Sequence, residues 1–155
     1  MDPAHVLGEI CESVATRDGA RMARLFCEDG VYHDVFYGAF RGREAIADLV
    51  NQRFYETAED FRWEMVDPVF DGHTLYARYL FSYRSKLPEA NGGRAMFEGV
   101  SILRIRDGLV AEYREVASTA TAFADMNFTP GRVALIIKRE ADALKRRPEM
   151  ARHLA

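Results

Sequence analysis

The chain has 155 residues, enough for one domain with a substantial core. Its formal net charge of -3 provides no basic field for a polyanion, so nucleic acid is not an expected partner. The stretch MDPAHVLGEI contains acidic residues and no long apolar run, which predicts neither a signal peptide nor a membrane span. We therefore expect one soluble, cytoplasmic domain over residues 1–155, with no membrane contact.

The first elements are predicted to be helices. Asp2-Pro3 is a good helix start, and the apolar residues that follow fall on one stripe: Val6, Leu7, Ile10 and Val14. Asp18 can cap a second short helix, carrying Met22, Leu25 and Phe26, that ends at Asp29-Gly30. Cys11 and Cys27 lie in these helical segments without a spacing motif, which indicates buried thiols rather than a disulfide or metal ligands.

The next segments predict a strand or strand pair over residues 31–41, then a helix from about Arg43 to Tyr55 with Ile46, Leu49, Val50 and Phe54 on one side. Four strand-like runs follow at residues 61–70, 74–87, 94–106 and 109–120. They are separated by Asp-Gly and Asn-Gly turns, which favour hairpins because these residues tolerate positive φ. The runs therefore predict a long antiparallel meander.

The C-terminal part contains a looser segment over residues 121–128 and a last helix that begins at Thr129-Pro130. Its predicted apolar stripe is Val133, Ile136, Ile137, Ala141 and Leu144. The complete order of elements is typical of an α+β fold, with helices on one face of an antiparallel sheet. Because long strands curl, the sheet and its helices are expected to enclose an apolar cone suited to a small apolar or aromatic molecule.

Alternation along the strands predicts which side chains face this cone. The inward face includes the expected substrate contacts Tyr32, Trp63, Tyr79, Phe81, Tyr83, Phe97, Ser101 and Tyr113. Leu109 and Ala111 are assigned to the same face, and His33 to the opposite one, unless a bulge turns His33 inward to form an acid–base pair with Asp34. The outward face mixes charges with apolar residues, which predicts a homodimer through the sheet: Val66, Tyr76, Leu80, Val100, Ile102 and Val116.

Two carboxylates, Asp34 and Glu115, share the inward face. A carboxyl in an apolar cavity has its pKa raised by desolvation, so it can act as a general base or acid near neutral pH. The structural alternatives are a turn cap and an ion pair. Asp34 would bond the backbone amides at Tyr37-Gly38, and Glu115 would pair with Arg114 or Arg104.

No motif for a cofactor or a metal accompanies these carboxylates. The chain has no G-x-G-x-x-G fingerprint after a strand and no P-loop. Its histidines are scattered without ligand spacing, at positions 5, 33, 73 and 153. We therefore expect neither a cofactor nor a metal ion.

Two segments resemble the nuclear-transport-factor-2-like superfamily, in its SnoaL-like (polyketide cyclase) branch. They are LFCEDGVYHDVFYGAFRGREAI (residues 25–46) and FEGVSILRIRDGLVAEYREV (residues 97–116), and the resemblance covers nearly the whole chain. It implies a curved sheet that forms a conical α+β barrel, usually dimeric. Members include steroid isomerases, polyketide cyclases, epoxide hydrolases and dehydratases, as well as non-catalytic binding modules.

By position, the resemblance places Asp34 at the general-base aspartate of the ketosteroid isomerases. Ser101 falls where those enzymes keep a protonated aspartate, and this departure argues against steroid-isomerase activity. Glu115 falls where phenazine-pathway members carry a catalytic acid. The last helix is longer than in the minimal enzymes, which suggests that it covers the pocket mouth.

The sequence thus predicts an enzyme of isomerisation, cyclisation, dehydration or epoxide opening. Asp34 would take a proton and Glu115 would donate one or orient the substrate, while tyrosine hydroxyls would stabilise developing oxygen charge. The alternative is a small-ligand-binding or dimeric accessory module without chemistry.

Overall fold

The computed structural model describes residues 2–155 and shows helices packed along one side of a six-stranded sheet. The helices are α1 (Pro3–Ala15), α2 (Gly19–Arg24), α3 (Gly42–Asp48), α4 (Phe54–Thr57), α5 (Ala120–Asp125) and α6 (Pro130–Lys145). The strands are β1 (Phe26–Asp34), β2 (Gly38–Arg41), β3 (Ala58–Phe70), β4 (Thr74–Ser85), β5 (Arg94–Arg106) and β6 (Leu109–Ala117). A π-helical stretch over Leu49–Arg53 joins α3 to α4, and 3-10 turns occupy Pro88–Ala90 and Pro148–His153.

The sheet has the strand order β2-β1-β6-β5-β4-β3. Strands β3 to β6 form the predicted antiparallel meander, and β1 and β2 form the predicted antiparallel pair. Strand β1 runs parallel to β6, with Tyr32 opposite Tyr113, so the sheet is mixed. The predicted α+β class is confirmed, and this parallel contact brings the start of the chain beside its last strand.

The predicted helical stripes form the core on the concave side of the sheet. Asp2 caps α1 by accepting the backbone N–H of Ala4 at 3.0 Å, as predicted. The buried stripe residues are Val6, Leu7, Ile10, Val14, Ile46, Leu49, Val50 and Phe54. They pack with Leu75 and Leu103 of the sheet. The helices therefore cover part of the concave face.

Two predicted element boundaries are wrong. Helix α2 ends at Arg24, and Phe26 and Cys27 begin β1, because this strand finds hydrogen-bonding partners in β6 and buries Phe26 completely. Asp29-Gly30 consequently lies inside a strand rather than at a helix end. The segment predicted to be loose contains the short helix α5, which buries Phe123.

Bulges bend the sheet and change which residues face inward. Two register shifts interrupt the pairing of β3 with β4, near Asp60 and Asp67, which have φ values of 50° and 54°. Bulges increase strand twist, so β3 wraps around the helices. Another shift, between β5 and β6, buries Val110 completely, which corrects the inward assignment of Leu109 and Ala111.

Helix α6 packs less closely than predicted. Thr129 caps it as expected, by accepting the backbone N–H of Arg132 at 3.4 Å. Only Val133 and Ile136 of its predicted stripe pack against the aromatic core. Other members of the stripe stay in solvent: Ile137 is 47% and Leu144 42% exposed. Within residues 2–155, neither α6 nor any other helix is long and apolar enough to cross a bilayer.

Candidate active site

A cavity of about 260 Å³ opens between the concave face of the sheet and the helices α4, α5 and α6. Its wall includes six of the eight predicted substrate contacts: Tyr32, Trp63, Tyr79, Phe81, Tyr83 and Phe97. Cavities of about 150 Å³ hold benzene, so this one has room for about ten non-hydrogen atoms. The cavity therefore suits a molecule of one or two rings.

Trp63 is packed edge-on against its aromatic neighbours. Its ring centroid lies 6.0 Å from that of Tyr79 and 5.3 Å from that of Phe81, with interplanar angles of 76°. Its indole N–H is buried and has no hydrogen-bond partner among residues 2–155. Such a donor costs roughly 1–3 kcal/mol, so a ligand acceptor that reached this nitrogen would recover part of that free energy.

Asp34 and Glu115 both line this cavity. Each lies two residues beyond the paired Tyr32 and Tyr113, on neighbouring strands, so both side chains leave the same face of the sheet. In the part of the chain that the structure describes, no arginine, lysine or histidine forms an ion pair with either carboxylate. The two acidic groups therefore face one apolar space without a neutralising cation.

Glu115 is held by neutral donors. The hydroxyl of Tyr79 donates to its Oε2 at 2.6 Å, and the hydroxyl of Tyr113 lies 3.5 Å from the same oxygen. The backbone N–H of Val35 also acts to lower the pKa of this carboxyl group. These contacts orient Glu115 without supplying a positive charge.

The arginine pairing considered for Glu115 does not occur. The Nε of Arg114 donates to Glu112 at 2.7 Å on the outer face, and Arg104 donates to Thr74. Both arginines lie on the opposite face of their strands, since side chains alternate. The structural alternative predicted for Glu115 is therefore wrong.

The turn cap considered for Asp34 is present. Its Oδ1 accepts the backbone N–H of Phe36 at 2.8 Å and that of Tyr37 at 2.9 Å. Its Oδ2 has no hydrogen-bond partner in residues 2–155. One oxygen thus fixes the side chain, and the other is left for a ligand.

Burial shifts the pKa values of both carboxyl groups. It raises the pKa of Asp34 to about 6, against the opposing effect of the two backbone N–H groups. Burial, followed by the negative charge of Asp34, raises the pKa of Glu115 to about 8. The two groups titrate as a pair, and near neutral pH the pair carries one proton. It can therefore offer a base and an acid at the same time.

Ser101 and Tyr113 lie behind the cavity wall rather than on it. The Oγ of Ser101, which is fully buried, lies 2.9 Å from the hydroxyl of Tyr113. The ring of Tyr113 stacks on that of Tyr32, with 4.3 Å between centroids. This stacked layer separates Ser101 and Tyr113 from the cavity. Contrary to expectation, the structure therefore does not place these two residues where they would contact a substrate directly. Instead, the hydroxyl of Ser101 contacts that of Tyr113, which in turn lies beside the carboxyl group of Glu115.

His33 lies on the outer face, as the alternation predicts. Its Nε2 is 3.0 Å from an oxygen of Glu112, on the side of the sheet away from the cavity. Across residues 2–155, no three His, Cys, Asp or Glu side chains group closely enough to hold a metal ion.

The last helix lies at the mouth of the cavity, as the resemblance implied, but most side chains of the far wall and the mouth were not predicted. The lining residues without a prediction include Tyr37, Phe123, Met126, Phe128, Arg132 and Arg139. The spacing of Phe123 and Met126 could have indicated a helical turn there. The same holds for Arg132, Ile136 and Arg139, whose spacing of four and then three residues puts them on one helix face.

Comparisons with known proteins agree with this architecture. A family model described as "SnoaL-like domain" matches residues 8–113. No curated protein sequence matches the chain. Among solved structures, TsrD from Streptomyces laurentii has a TM-score of 0.70 and 20% identity, covering 83% of this chain and 99% of that one.

Two further structures resemble the chain. An LEH-like epoxide hydrolase from M. tuberculosis has a TM-score of 0.64 and 17% identity, covering 88% of this chain and 96% of that one. IdmH from Streptomyces antibioticus, a proposed polyketide cyclase, has a TM-score of 0.65 and 19% identity, covering 81% and 99%. At these identities the likeness establishes the fold alone.

Proposed function

The chain belongs to the family of SnoaL-like domains, as its resemblance predicted, and on that premise we propose that it is an acid–base enzyme acting on a small, largely apolar cyclic molecule. The observation that carries the proposal is the pair Asp34 and Glu115, which line one aromatic cavity without a cationic partner. A purely structural carboxylate in such a place is ordinarily neutralised by a cation.

The proposed reaction begins with a substrate that has a C–H bond next to a carbonyl group. The Asp34 carboxylate takes that proton, and the C–H electron pair becomes a carbon–carbon double bond. The carbonyl π pair accepts the proton of Glu115, which gives an enol. If the substrate is a β,γ-unsaturated ketone, Asp34 returns its proton to the γ-carbon while the enol O–H proton goes back to Glu115, which regenerates the carbonyl and yields the conjugated isomer. If the substrate has a second carbonyl group, the enol carbon attacks it and closes a ring. The new alkoxide then takes the proton from Asp34, and the enol O–H proton returns to Glu115.

Neutral hydrogen bonds keep Glu115 suited to the acid role. The hydroxyl of Tyr79 holds it in place, and Ser101 supports it through Tyr113. A cation in this position would hold the carboxyl ionised and remove its proton at neutral pH. The same acid could protonate an epoxide oxygen and so assist epoxide opening, and one structural neighbour is an LEH-like epoxide hydrolase from M. tuberculosis.

The test is proton exchange on a bicyclic ketone of the right size. β-Tetralone is incubated with the protein in heavy water, and deuterium at its α-carbon is followed by NMR. We expect exchange well above that of the variants Asp34→Asn and Glu115→Gln, and indene oxide tests epoxide opening in the same way. If neither compound reacts faster with the wild type than with these variants, the proposal fails.

A binding module without chemistry is the second candidate, and the turn cap at Asp34 favours it. If the cap is the only role of that side chain, its free oxygen is incidental. This candidate predicts that β-tetralone binds to the wild type without exchange. It also predicts that Asp34→Asn binds as well as the wild type, since an amide oxygen can still accept the two backbone N–H groups.

We also propose that the outer face of the sheet forms a homodimer. Its exposed apolar residues include Tyr76, Leu80, Met96, Val100 and Val116, with Leu80 43% and Val116 65% exposed. Light scattering after size-exclusion chromatography should give the mass of two chains. Leu80→Glu should give monomers, whereas Leu135→Glu on α6, a control exposed outside this face, should not. A monomeric wild type would rule the dimer out.

A further inference from the structure

The mouth of the cavity is bordered by one face of α6. Arg132, Ile136 and Arg139 all line it, and their spacing stacks them over two helical turns. Ile136 packs against the aromatic cluster, and the Thr129 cap fixes the start of the helix. The two arginines consequently flank an apolar contact at the entrance.

These arginines keep hydrogen-bond donors free. In the part of the chain that the structure describes, Arg139 forms no ion pair or side-chain hydrogen bond. Arg132 bonds to Glu89 through one terminal nitrogen, and its guanidinium lies 3.6 Å from the ring centroid of Phe128. The other two guanidinium nitrogens of Arg132 have no acceptor among residues 2–155. A guanidinium has five N–H donors, so the mouth offers more donors than the protein uses.

Charge is distributed unevenly along the chain. Residues 130–147 contain six Lys or Arg and two Asp or Glu, a net charge of +4, whereas the whole chain has a net charge of -3. The matched family region ends at residue 113, so α6 lies outside it. The basic mouth is therefore a feature of this chain's C-terminal segment.

The two ends of the cavity therefore carry groups of opposite charge. Its inner end holds the carboxyl groups of Asp34 and Glu115, and its outer end holds the two arginines. An anionic group on a ligand is repelled by the inner carboxylate and attracted to the guanidinium groups. It is accordingly held at the mouth, with the apolar part of the ligand directed inward.

From this arrangement we infer that the ligand of the cavity is a cyclic or aromatic acid, whose carboxylate is bound at the mouth by Arg139 and Arg132. The inference rests on the proposed function in that it assumes a small molecule in this cavity, and it names the class of that molecule. It also supplies an orientation, since a ring anchored at its outer end presents its inner atoms to Asp34.

The experiment compares two ligands of nearly the same size and shape, one negatively charged and one neutral. The probes are 3-phenylpropionate and 3-phenylpropanamide, with binding measured by calorimetry at low salt. Quenching of Trp63, the only tryptophan of the chain, reports entry into the cavity. We expect the acid to bind the wild type about tenfold more tightly than the amide, since charge-assisted hydrogen bonds are stronger than neutral ones.

Matched variants test whether the preference for the acid over the amide comes from the arginines at the mouth of the cavity. Arg139→Gln should reduce it to about twofold or less, and Arg132→Gln should reduce it in part, because that guanidinium already serves Glu89. Lys138→Gln makes the same charge change on the same helix at a residue that does not line the cavity, and it should leave the preference intact.

Equal binding of acid and amide by the wild type would overturn the inference. So would a loss of preference in Lys138→Gln as large as that in Arg139→Gln, since it would reveal a diffuse effect of net charge. Tight binding of the acid with no exchange of β-tetralone would contradict the proposed chemistry alone. Exchange of β-tetralone with no preference for the acid would contradict the mouth site alone.

Discussion

Two glutamates on strand β6 meet opposite surroundings. Glu112 lies on the outer face, 3.0 Å from a ring nitrogen of His33 and 2.7 Å from the Nε of Arg114. Glu115 lies on the inner face, where tyrosine hydroxyls are its side-chain partners. The two residues are three positions apart, and alternation alone sends them to different sides of the sheet.

Their pKa values move in opposite directions as a result. Burial acts to raise the pKa of Glu112, but the hydrogen bond and charge of Arg114, together with His33, bring it below the ordinary value. Burial and the charge of Asp34 raise the pKa of Glu115 to about 8. Cationic partners hold a carboxyl ionised, whereas neutral donors position it and leave its proton available for chemistry.

The largest expected difference between the two faces is in catalysis. Glu115→Gln and Asp34→Asn should each slow exchange of β-tetralone by about 10²–10⁴-fold, because each removes a proton-transfer group. Glu112→Gln, the matched control on the outer face, should stay within about twofold of the wild type. Thermal unfolding of each variant shows whether it is folded. A comparable loss in Glu112→Gln would contradict the assignment of chemistry to the inner face.

The second largest expected difference between the two faces is in the pKa values of Glu115 and Glu112. Side-chain carboxyl signals followed by NMR should give Glu115 a midpoint near 8, and Glu112 a midpoint below its ordinary value of 4.5. Asp34→Asn should lower the pKa of Glu115, because it removes a nearby negative charge that disfavours ionisation. An unchanged Glu115 midpoint in that variant would show that the two carboxyl groups do not interact.

The same shift makes folding stability depend on pH. Glu115 has an ordinary pKa of 4.5 when unfolded and about 8 when folded. Between these values the folded state holds the extra proton, so the free energy of unfolding falls as pH rises, by about 1.4 kcal/mol per pH unit at most. This contribution is fully present below the unfolded pKa and is lost as pH rises through the folded one.

Urea unfolding between pH 6 and 8 measures that slope. Glu115→Gln should flatten it, since glutamine does not titrate. Glu112→Gln should leave it unchanged, because the lowered pKa of Glu112 places its effect at acidic pH. A slope that persists in Glu115→Gln would mean that another group carries the pH dependence.

A smaller effect is expected at Gly99, which faces Tyr79 in the neighbouring strand. A Cβ at Gly99 would lie 2.7 Å from the Tyr79 hydroxyl and 2.5 Å from the carbonyl oxygen of Val116. Gly99→Ala should therefore displace the Tyr79–Glu115 hydrogen bond and slow exchange about tenfold. Gly131→Ala is the control, since nothing lies within 4 Å of a Cβ there.

The double variant Gly99→Ala with Tyr79→Phe tests whether Gly99→Ala acts by displacing the Tyr79 hydroxyl or by straining the structure more generally. If Gly99 acts through the Tyr79 hydroxyl, the two substitutions together should slow exchange no more than Tyr79→Phe alone. Full additivity of the two effects would mean that Gly99 affects the site by another path.

Much of the site was predictable from the sequence. Alternation placed Asp34, Glu115 and the aromatic contacts on one face, and turn residues delimited the strands they occupy. Both signals are local, so they hold before any tertiary contact forms. Alternation failed where a bulge intervenes, since Val110 rather than Leu109 faces the core.

What the sequence determined by itself is therefore the order of the elements, the strand faces and the pair of inward carboxylates. Tertiary structure alone decided which partner each charge meets. It brought Phe26 into a strand beside β6, placed His33 next to Glu112, and brought the arginines of α6 to the mouth. These outcomes depend on contacts between residues distant in the chain, and a local pattern carries no information about them.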